Sequence, residues 1–459
     1  MDGVKVFTGA AATVLLMVCT GPAPALADTI EGALVQAYQS NPQLNAQRAQ
    51  VRSTDENVPQ ALSGYRPKVN IAVSSGYQYI DETLAGARLH GPSPPSSAAL
   101  NVTQTLYNGN QTANRTRAAE SNVSGAREGL RVLEETVLFN AASIYMDYLR
   151  DSATVEVNKS NVRVLEQTLK QTRDRFNVGE VTRTDVAQSE AQLAAGKTQE
   201  LQSESNLNTT RSNYRRIIGS EPQNLAPGSP VDRFLPPSLT QAVDLSLIEN
   251  PNVTAAMYGV DVNFLTVKIN EGALLPAVNL VALVQQQFQQ SPTLGPNFTA
   301  SALANIAVPI YQGGAEYSLI RQSKENLAQQ RLTLETTRDQ TRANTVTAWG
   351  QLIAGKAQVV SAQAQVTASE IALNGVREEA KAGQRTTLDV LNAQQALVNA
   401  RIALVTAQHD RVVASYSVLE SIGRLSPQVL GLHTTTYDPS VHYHQVRDSW
   451  AGMRTPDGR

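Results

Sequence analysis

The sequence predicts a mainly α-helical chain with a small β-barrel part, and three observations carry that prediction. The chain is written twice, so that Tyr107-Asn-Gly109 returns 204 positions later as Tyr311-Gln-Gly313. Residues 109–178 and 314–382 contain no proline and few glycines, and apolar residues recur in them every seven positions. Short stretches between the helical runs alternate with period two, the pattern of strands.

The duplication extends well beyond one tripeptide. Gly179, Thr182, Asp185 and Val186 return as Gly383, Thr386, Asp389 and Val390, and Tyr145 returns as Trp349. Nearer the start the spacing is 209, with Asn41-Pro42 matching Asn250-Pro251, so one insertion or deletion separates the two registers. A unit of this length exceeds the ~20–50 residues of solenoid repeats. Two tandem structural repeats are expected, 28–219 and 239–425, joined by a Pro/Gly-rich linker at 220–238.

Residues 1–27 read as a signal peptide, with Lys5 in a basic start, Gly9 to Val18 as an apolar run, and Ala25-Leu26-Ala27 as the cleavage site. Cys19, the only cysteine, lies inside it, and Val18 is too large for a lipoprotein signal at that cysteine. The mature chain would have neither disulfides nor thiol chemistry, which suits an exported protein. No later apolar run reaches 18 residues, so no transmembrane helix is expected. A net charge of −2 with no basic face argues against nucleic acid. Aromatics make up only 5% of the chain, and the small residues that replace them suit long helices packed at close range.

The first long helix is expected over 109–178. Val123, Leu130, Val137 and Ile144 form one seven-residue ladder, and Ala141, Tyr148, Val155, Val162, Leu169 and Phe176 form another. A 3.5-residue period is that of left-handed coiled coils. Return helices are expected over about 184–218 and 386–422, too short to climb back alone. Segments 30–63 and 239–271, interrupted at the Asn-Pro pairs, supply the remainder.

The strand hairpins are expected at about 65–107 and 274–311. Val69, Ile71 and Val73 alternate with Asn70, Ala72 and Ser74; Phe298, Ala300, Ala302, Ala304, Ile306, Val308 and Ile310 alternate with small or polar residues. Residues 278–288 follow the pattern less cleanly. The hairpin loops are placed at Gly91-Pro-Ser-Pro-Pro-Ser-Ser97 and Ser291-Pro-Thr-Leu-Gly-Pro296, and Tyr65, Tyr107 and Tyr311 sit at strand ends. A soluble sheet packed on one face is the alternative. Recurrence in both copies and a polar face that is small rather than charged favour a membrane barrel. Four strands cannot close a barrel, so several chains would share it.

Together these residues resemble the TolC family of outer-membrane efflux proteins, over nearly the whole chain from 28 to 425. The most specific pieces are Phe176-Asn-Val-Gly-Glu-Val-Thr-Arg-Thr-Asp-Val186 and Gly383-Gln-Arg-Thr-Thr-Leu-Asp-Val-Leu-Asn-Ala393. The resemblance implies a homotrimer with a twelve-stranded outer-membrane barrel, four strands from each chain, set in outer-membrane lipid. A long periplasmic coiled-coil barrel would continue below it and close at its tip. It further implies docking onto a periplasmic adaptor and an inner-membrane pump of the RND or ABC type, serving multidrug efflux or type I secretion.

At the tip, Gly179 and Gly383 suit a positive φ, and Thr182 and Thr386 each precede an aspartate by three positions, as in a capping box. Asp185 and Asp389 are therefore first-turn carboxylates by position. By resemblance, Asp389 also matches the pore-constricting aspartate, whose ring of three should attract cations, favour divalent block and raise carboxyl pKa values. A second aspartate common one turn on is Asn392 here, which makes the ring less negative. Arg385 matches an arginine linking neighbouring coiled coils, with Thr184 and Asp185 as partners, or is a solvated charge. A tyrosine of that network is replaced by Ala380. The turns Val178-Gly179 and Ala382-Gly383 match the adaptor-docking positions.

Residues 426–459 leave the repeat and are expected to be a polar, disordered tail, its His433, His442 and His444 included. No catalytic arrangement, zinc spacing or phosphate loop stands out, so no enzyme, metal or cofactor is expected. The rival reading is a periplasmic helical-hairpin adaptor or scaffold without a pore, which would lack a small-polar lumen face and an outward apolar band.

Overall fold

The computed structural model describes residues 28–84, 86–291 and 295–458. The expected signal segment, with Cys19, lies outside the described residues. Helices α1 (Ile30–Ser40), α2 (Pro42–Asp55) and α3 (Asn57–Leu62) open the chain. Strands β1 (Lys68–Ser75), β2 (Gln78–Leu84), β3 (Ala87–Ser93) and β4 (Ser96–Asn108) follow, then α4 (Gln111–Asn177) and α5 (Arg183–Ile218). Beyond the linker come α6 (Leu239–Glu249), α7 (Pro251–Gly272), β5 (Ala277–Phe288), β6 (Asn297–Ala307), α8 (Ala315–Lys381) and α9 (Thr387–Ile422). Helix α10 (Ser440–Val446) lies in the tail.

Helices α4 and α8 each run 67 residues without a break, and α5 and α9 each run 36. At ~1.5 Å per residue the long pair spans ~100 Å. Their bounds fall within two residues of those the proline-free runs predict. The ladder residues Val123, Leu130, Val137, Ile144, Ala141, Val155, Val162 and Leu169 are buried, as coiled-coil knobs should be. Phe176, at the end of its ladder, is largely exposed because α4 stops one residue later.

The two Asn-Pro pairs break the climbing helices by the same device. The Oδ1 of Asn41 accepts from the amides of Gln43 (2.9 Å) and Leu44 (3.3 Å), and that of Asn250 accepts from Asn252 (2.9 Å). Proline occupies the first helical position in both, where its missing N–H costs nothing. Each asparagine also donates from Nδ2 to a carbonyl in the last turn of a return helix, Ile217 or Ser421. Gly423 ends α9 at φ 90°, and a Cβ there would lie 2.6 Å from the Cα of Asn250. Only glycine permits both the left-handed turn and that approach.

Four strands form one antiparallel sheet in the order β1-β4-β5-β6. The register puts Ile71, Leu100, Val284 and Ala300 in one row, with Val69, Val102, Ala282 and Ala302 in the next. The opposite face carries rows such as Asn70, Asn101, Leu283 and Ser301. Leu283 and Val281 are why β5 alternates less cleanly than its neighbours. Strand β6 ends at Ala307, so Val308 and Ile310, expected as strand residues, lie beyond it. Pro309 cannot donate to a ladder.

Two expectations are corrected. The Pro-rich segment 91–97 is not the hairpin loop: Gly91–Ser93 belong to β3, which pairs with β2 in a separate two-stranded ribbon, and Ser96 and Ser97 belong to β4. Pro92 sits opposite Tyr79 in that ribbon, where an edge position leaves its missing donor uncontested. The tail is not disordered. Leu430 and Val446 are buried, and the tail straps α1, α2 and α4 through polar contacts. His442 Nδ1 lies 3.0 Å from Asp55 Oδ2, the Tyr437 amide donates to Tyr38 Oη (3.2 Å), and Arg447 faces Glu120 at 3.8 Å. Arg66, at the entry to β1, donates to the Ser449 carbonyl (2.5 Å) and stacks over Trp450.

The largest core cluster lies where these elements converge. Tyr38, Leu44, Leu138, Tyr145, Tyr214, Tyr416 and Leu419 are among its fully buried members, drawn from α1, α2, α4, α5 and α9. The Tyr145 hydroxyl is shared between the carbonyls of Asp28 (2.8 Å) and Ala226 (2.6 Å), which pins the first described residue and the linker to α4.

Candidate functional site

The far ends of the long helices form two turns of nearly identical construction. At each, the long helix ends in a residue pair that closes it: the Gly179 amide donates to Phe176 O (3.0 Å) and Glu180 to Arg175 O (2.9 Å). In the second turn Gly383 donates to Ala380 O (3.2 Å) and Gln384 to Glu379 O (2.9 Å). Both glycines have positive φ, 82° and 78°, as this helix-ending motif requires. Val178, Gly179, Ala382 and Gly383 are all exposed, with Val178 at 72%.

The return helices start in complete capping boxes. The Thr182 amide donates to Asp185 Oδ2 (2.9 Å) while the Asp185 amide donates to Thr182 Oγ1 (3.3 Å). Thr386 and Asp389 repeat the exchange at 2.9 and 3.2 Å. Hydrogen bonds from the Thr182 hydroxyl and amide hold the Asp185 carboxyl below the usual carboxylate range. The Thr386 amide and hydroxyl do the same for Asp389. Within one chain these bonds therefore act against the raised values expected of a charge ring. Asn392 is exposed one turn further along α9, and Thr184 is exposed beside Asp185.

Arg385 is not joined to Thr184 or Asp185 in the chain. Its Nε donates to Glu379 Oε2 at 2.8 Å, across its own turn. The first turn carries the same clamp with reversed polarity, Arg175 Nε to Glu180 Oε2 at 3.0 Å. Sequence reasoning missed both clamps, because neither partner belongs to the repeated motif; the signal was an acid and a base five or six positions apart across a glycine turn. One turn further from the tip, Arg173 pairs with Glu190 (2.6 Å) and Arg377 with Gln394 (3.0 Å). The two coils touch through Gln192 and Gln395, 3.0 Å apart on α5 and α9.

At the opposite end, the apolar face of the sheet is open. Val69, Ile71, Val73, Phe298 and Ile306 are all more than half exposed, and β1 and β6 are unpaired along their outer edges. Between the ends, α8 carries Val346, Ile353 and Val360 as an exposed stripe at seven-residue spacing. Among the described residues no helix is long and apolar enough to cross a membrane, and no cluster of potential metal ligands occurs.

The family model for outer membrane efflux proteins matches residues 33–220 and 242–424. The outer membrane efflux protein BepC of Brucella suis biovar 1 (strain 1330) is 41% identical over 452 residues, covering 98% of this chain and 97% of BepC. This chain belongs to the outer membrane efflux protein family. Outer membrane protein TolC of Escherichia coli (strain K12) is 24% identical to this efflux protein over 422 residues, covering 86% of it and 83% of TolC. The crystal structure of the outer membrane protein VceC from Vibrio cholerae shares the efflux protein's fold, with a TM-score of 0.75 at 19% identity, covering 86% of this chain and 96% of that one. The efflux protein is thus an outer-membrane channel component, and its mainly helical fold with a small sheet is that of its family. The adaptor reading without a pore is set aside.

Proposed function

We propose that three copies of this efflux protein form the exit duct of a tripartite efflux or type I secretion system. The observation that carries the proposal is a four-stranded sheet with one exposed apolar face and two unpaired edges, standing on 67-residue helices. Pairing β6 of one copy with β1 of the next closes twelve strands, abolishes the edges and gives the apolar face to lipid. The rows of Asn, Ser, Thr and Ala on the other face line the lumen. Below, the exposed α8 stripe supplies knobs for the neighbouring copy, and two tandem units per chain give the tube its quasi-sixfold wall.

The tip is the gate. Three Asp389 carboxylates form the narrowest ring, Asn392 stands one turn inward, and the unequal groups dilute its charge. Arg385 faces Thr184 and Asp185 of the neighbouring coil, and Glu379 competes for the same guanidinium. Val178-Gly179 and Ala382-Gly383 are the docking turns for the periplasmic adaptor, which delivers cargo from an inner-membrane pump.

Single-channel conductance of the detergent-purified protein in a planar bilayer tests this reading. A small steady conductance that a divalent cation reduces is the expected result, from a complex whose mass is three chains. A monomer that stays soluble without detergent would overturn it.

A further inference from the structure

Helices α4 and α9 pack antiparallel, joining the first half of the chain to the second. Three polar pairs lie across their seam: Asp147 with His409 and Asn161 with Gln394, which are hydrogen-bonded, and Glu135 with Glu420, which interact through charge. From 135 to 161 on α4 and from 420 to 394 on α9 is 26 positions each, so the pairs lie in one register. The amide pair is neutral, with Gln394 Nε2 donating to Asn161 Oδ1 at 3.4 Å. The other two pairs both depend on protons.

His409 is only 8% exposed, and its ring nitrogens are both engaged by carboxylates: Nε2 with Asp147 at 3.0 Å and Nδ1 with Asp410 at 2.8 Å. A neutral ring has one N–H and can satisfy one carboxylate; an imidazolium satisfies both. Asp147 is also paired with Arg150 at 2.9 Å, and Arg150 with Asp151, which accepts from Thr210 on α5. Beside His409 on α9, Arg411 faces Asp232 of the linker at 3.6 Å, and Lys356 of α8 reaches the same carboxylate. Burial alone would depress the His409 pKa, but the bonds to Asp147 and Asp410 outweigh it and raise it above the ordinary value.

Glu135 is 5% exposed and makes no side-chain hydrogen bond or ion pair among the described residues. Glu420, across the seam, has none either. Arg131 is the cation that faces Glu135, while Glu128 and Glu134 of the same helix add negative charge. Glu134 is held by Tyr38 of α1 and Arg48 of α2, and Glu249 of α6 by Arg424. Burial pushes Glu135 up to about 9 and Glu420 up to about 7.

We propose that the α4–α9 seam is a proton-held latch between the two halves of the chain. It is closed while His409, Glu135 and Glu420 all carry a proton, and it loosens as those protons leave. The sign is the same for all three groups. A histidine or carboxyl whose folded pKa is raised gives its full contribution at low pH and loses it as pH rises. As pH rises Glu420 ionises first and Glu135 only near pH 9, where two facing carboxylates repel, and a neutral imidazole can bridge only one of its two partners. The latch rests on geometry within one chain and is independent of the gate residues at the tip.

Spin labels at Ser152→Cys and Gln408→Cys, exposed positions flanking the seam, report its width in the full chain with Cys19 replaced by serine. The distance distribution is expected to broaden and lengthen between pH ~5.5 and pH ~9. Glu135→Gln with Glu420→Gln, which keeps the shape and removes both charges, is expected to suppress most of that change. His409→Gln is expected to be broad already at the acid end. A wild-type distribution that does not move with pH overturns the latch, as does a double glutamine variant that moves as far as wild type. Circular dichroism of each variant confirms the helical content, so a misfolded variant is recognised as such, and the wild-type titration decides the question without any variant.

Discussion

Threonine and aspartate three positions apart do two jobs at each tip turn, ending the search for a helix start and fixing where a carboxylate points. Because Thr386 fills the cap of α9, Thr386→Ala should cost about 1 kcal/mol locally. Amide exchange over 387–391 would then rise roughly fivefold while the rest of α9 stays protected. The Asp389 bond obeys the opposite pH sign to the seam. Its pKa is depressed, so the capping contribution is present above the unfolded value and disappears as pH falls through the folded one. Asp389→Ala should weaken divalent-cation block, and unchanged block would remove Asp389 from the constriction. The Arg385 clamp gives a paired prediction. Arg385→Ser should raise resting conductance, whereas Glu379→Gln, which frees the guanidinium for the neighbouring coil, should lower it. Equal effects of the same sign would show that the intrachain clamp, not a contact between coils, sets the gate.

At the scale of elements, the tail strap is the contact with the most to lose. Asp55 is fully buried, with Arg127 at 3.8 Å and His442 at 3.0 Å as its partners. His442→Ala should therefore destabilise the protein by about 2 kcal/mol, read as a lower Tm, and Asp55→Asn in the same chain should recover part of it. Why this strap escaped the sequence reading is physical. It is one seven-residue helix with a single buried apolar residue, and its polar contacts reach residues more than 320 positions away. The long helices were legible because dozens of residues repeat one rule, and the Asn-Pro breaks because capping is local. The β2–β3 ribbon was misread because a proline-rich stretch looks like a loop unless its edge position is known. The seam pairs were invisible for a third reason: a buried glutamate or histidine at a core position has no meaning until its partner on another helix is placed.

The molecule as a whole presents two surfaces that a single chain leaves unfinished, the apolar face of the sheet and the stripe on α8. A charge on the former should be punished according to which face it enters. Ile71→Lys, directed outward, should cost about 2–4 kcal/mol near the middle of the bilayer and reduce heat-stable trimer, while Asn101→Lys, on the inward face, should assemble and shift ion selectivity instead. If both variants assembled equally well, the assignment of faces would fail.

The strap also bears on the order in which the chain is completed. The core cluster gathers Ile30, Leu34 and Tyr38 from the beginning of the described chain with Tyr416, Leu425 and Leu430 from near its end, and Tyr437 closes over Tyr38. A chain that emerges N-terminus first exposes α1 and α2 long before their covering residues exist. Until residues 425–437 are made, the faces of Ile30, Leu34 and Tyr38 that they cover stay open.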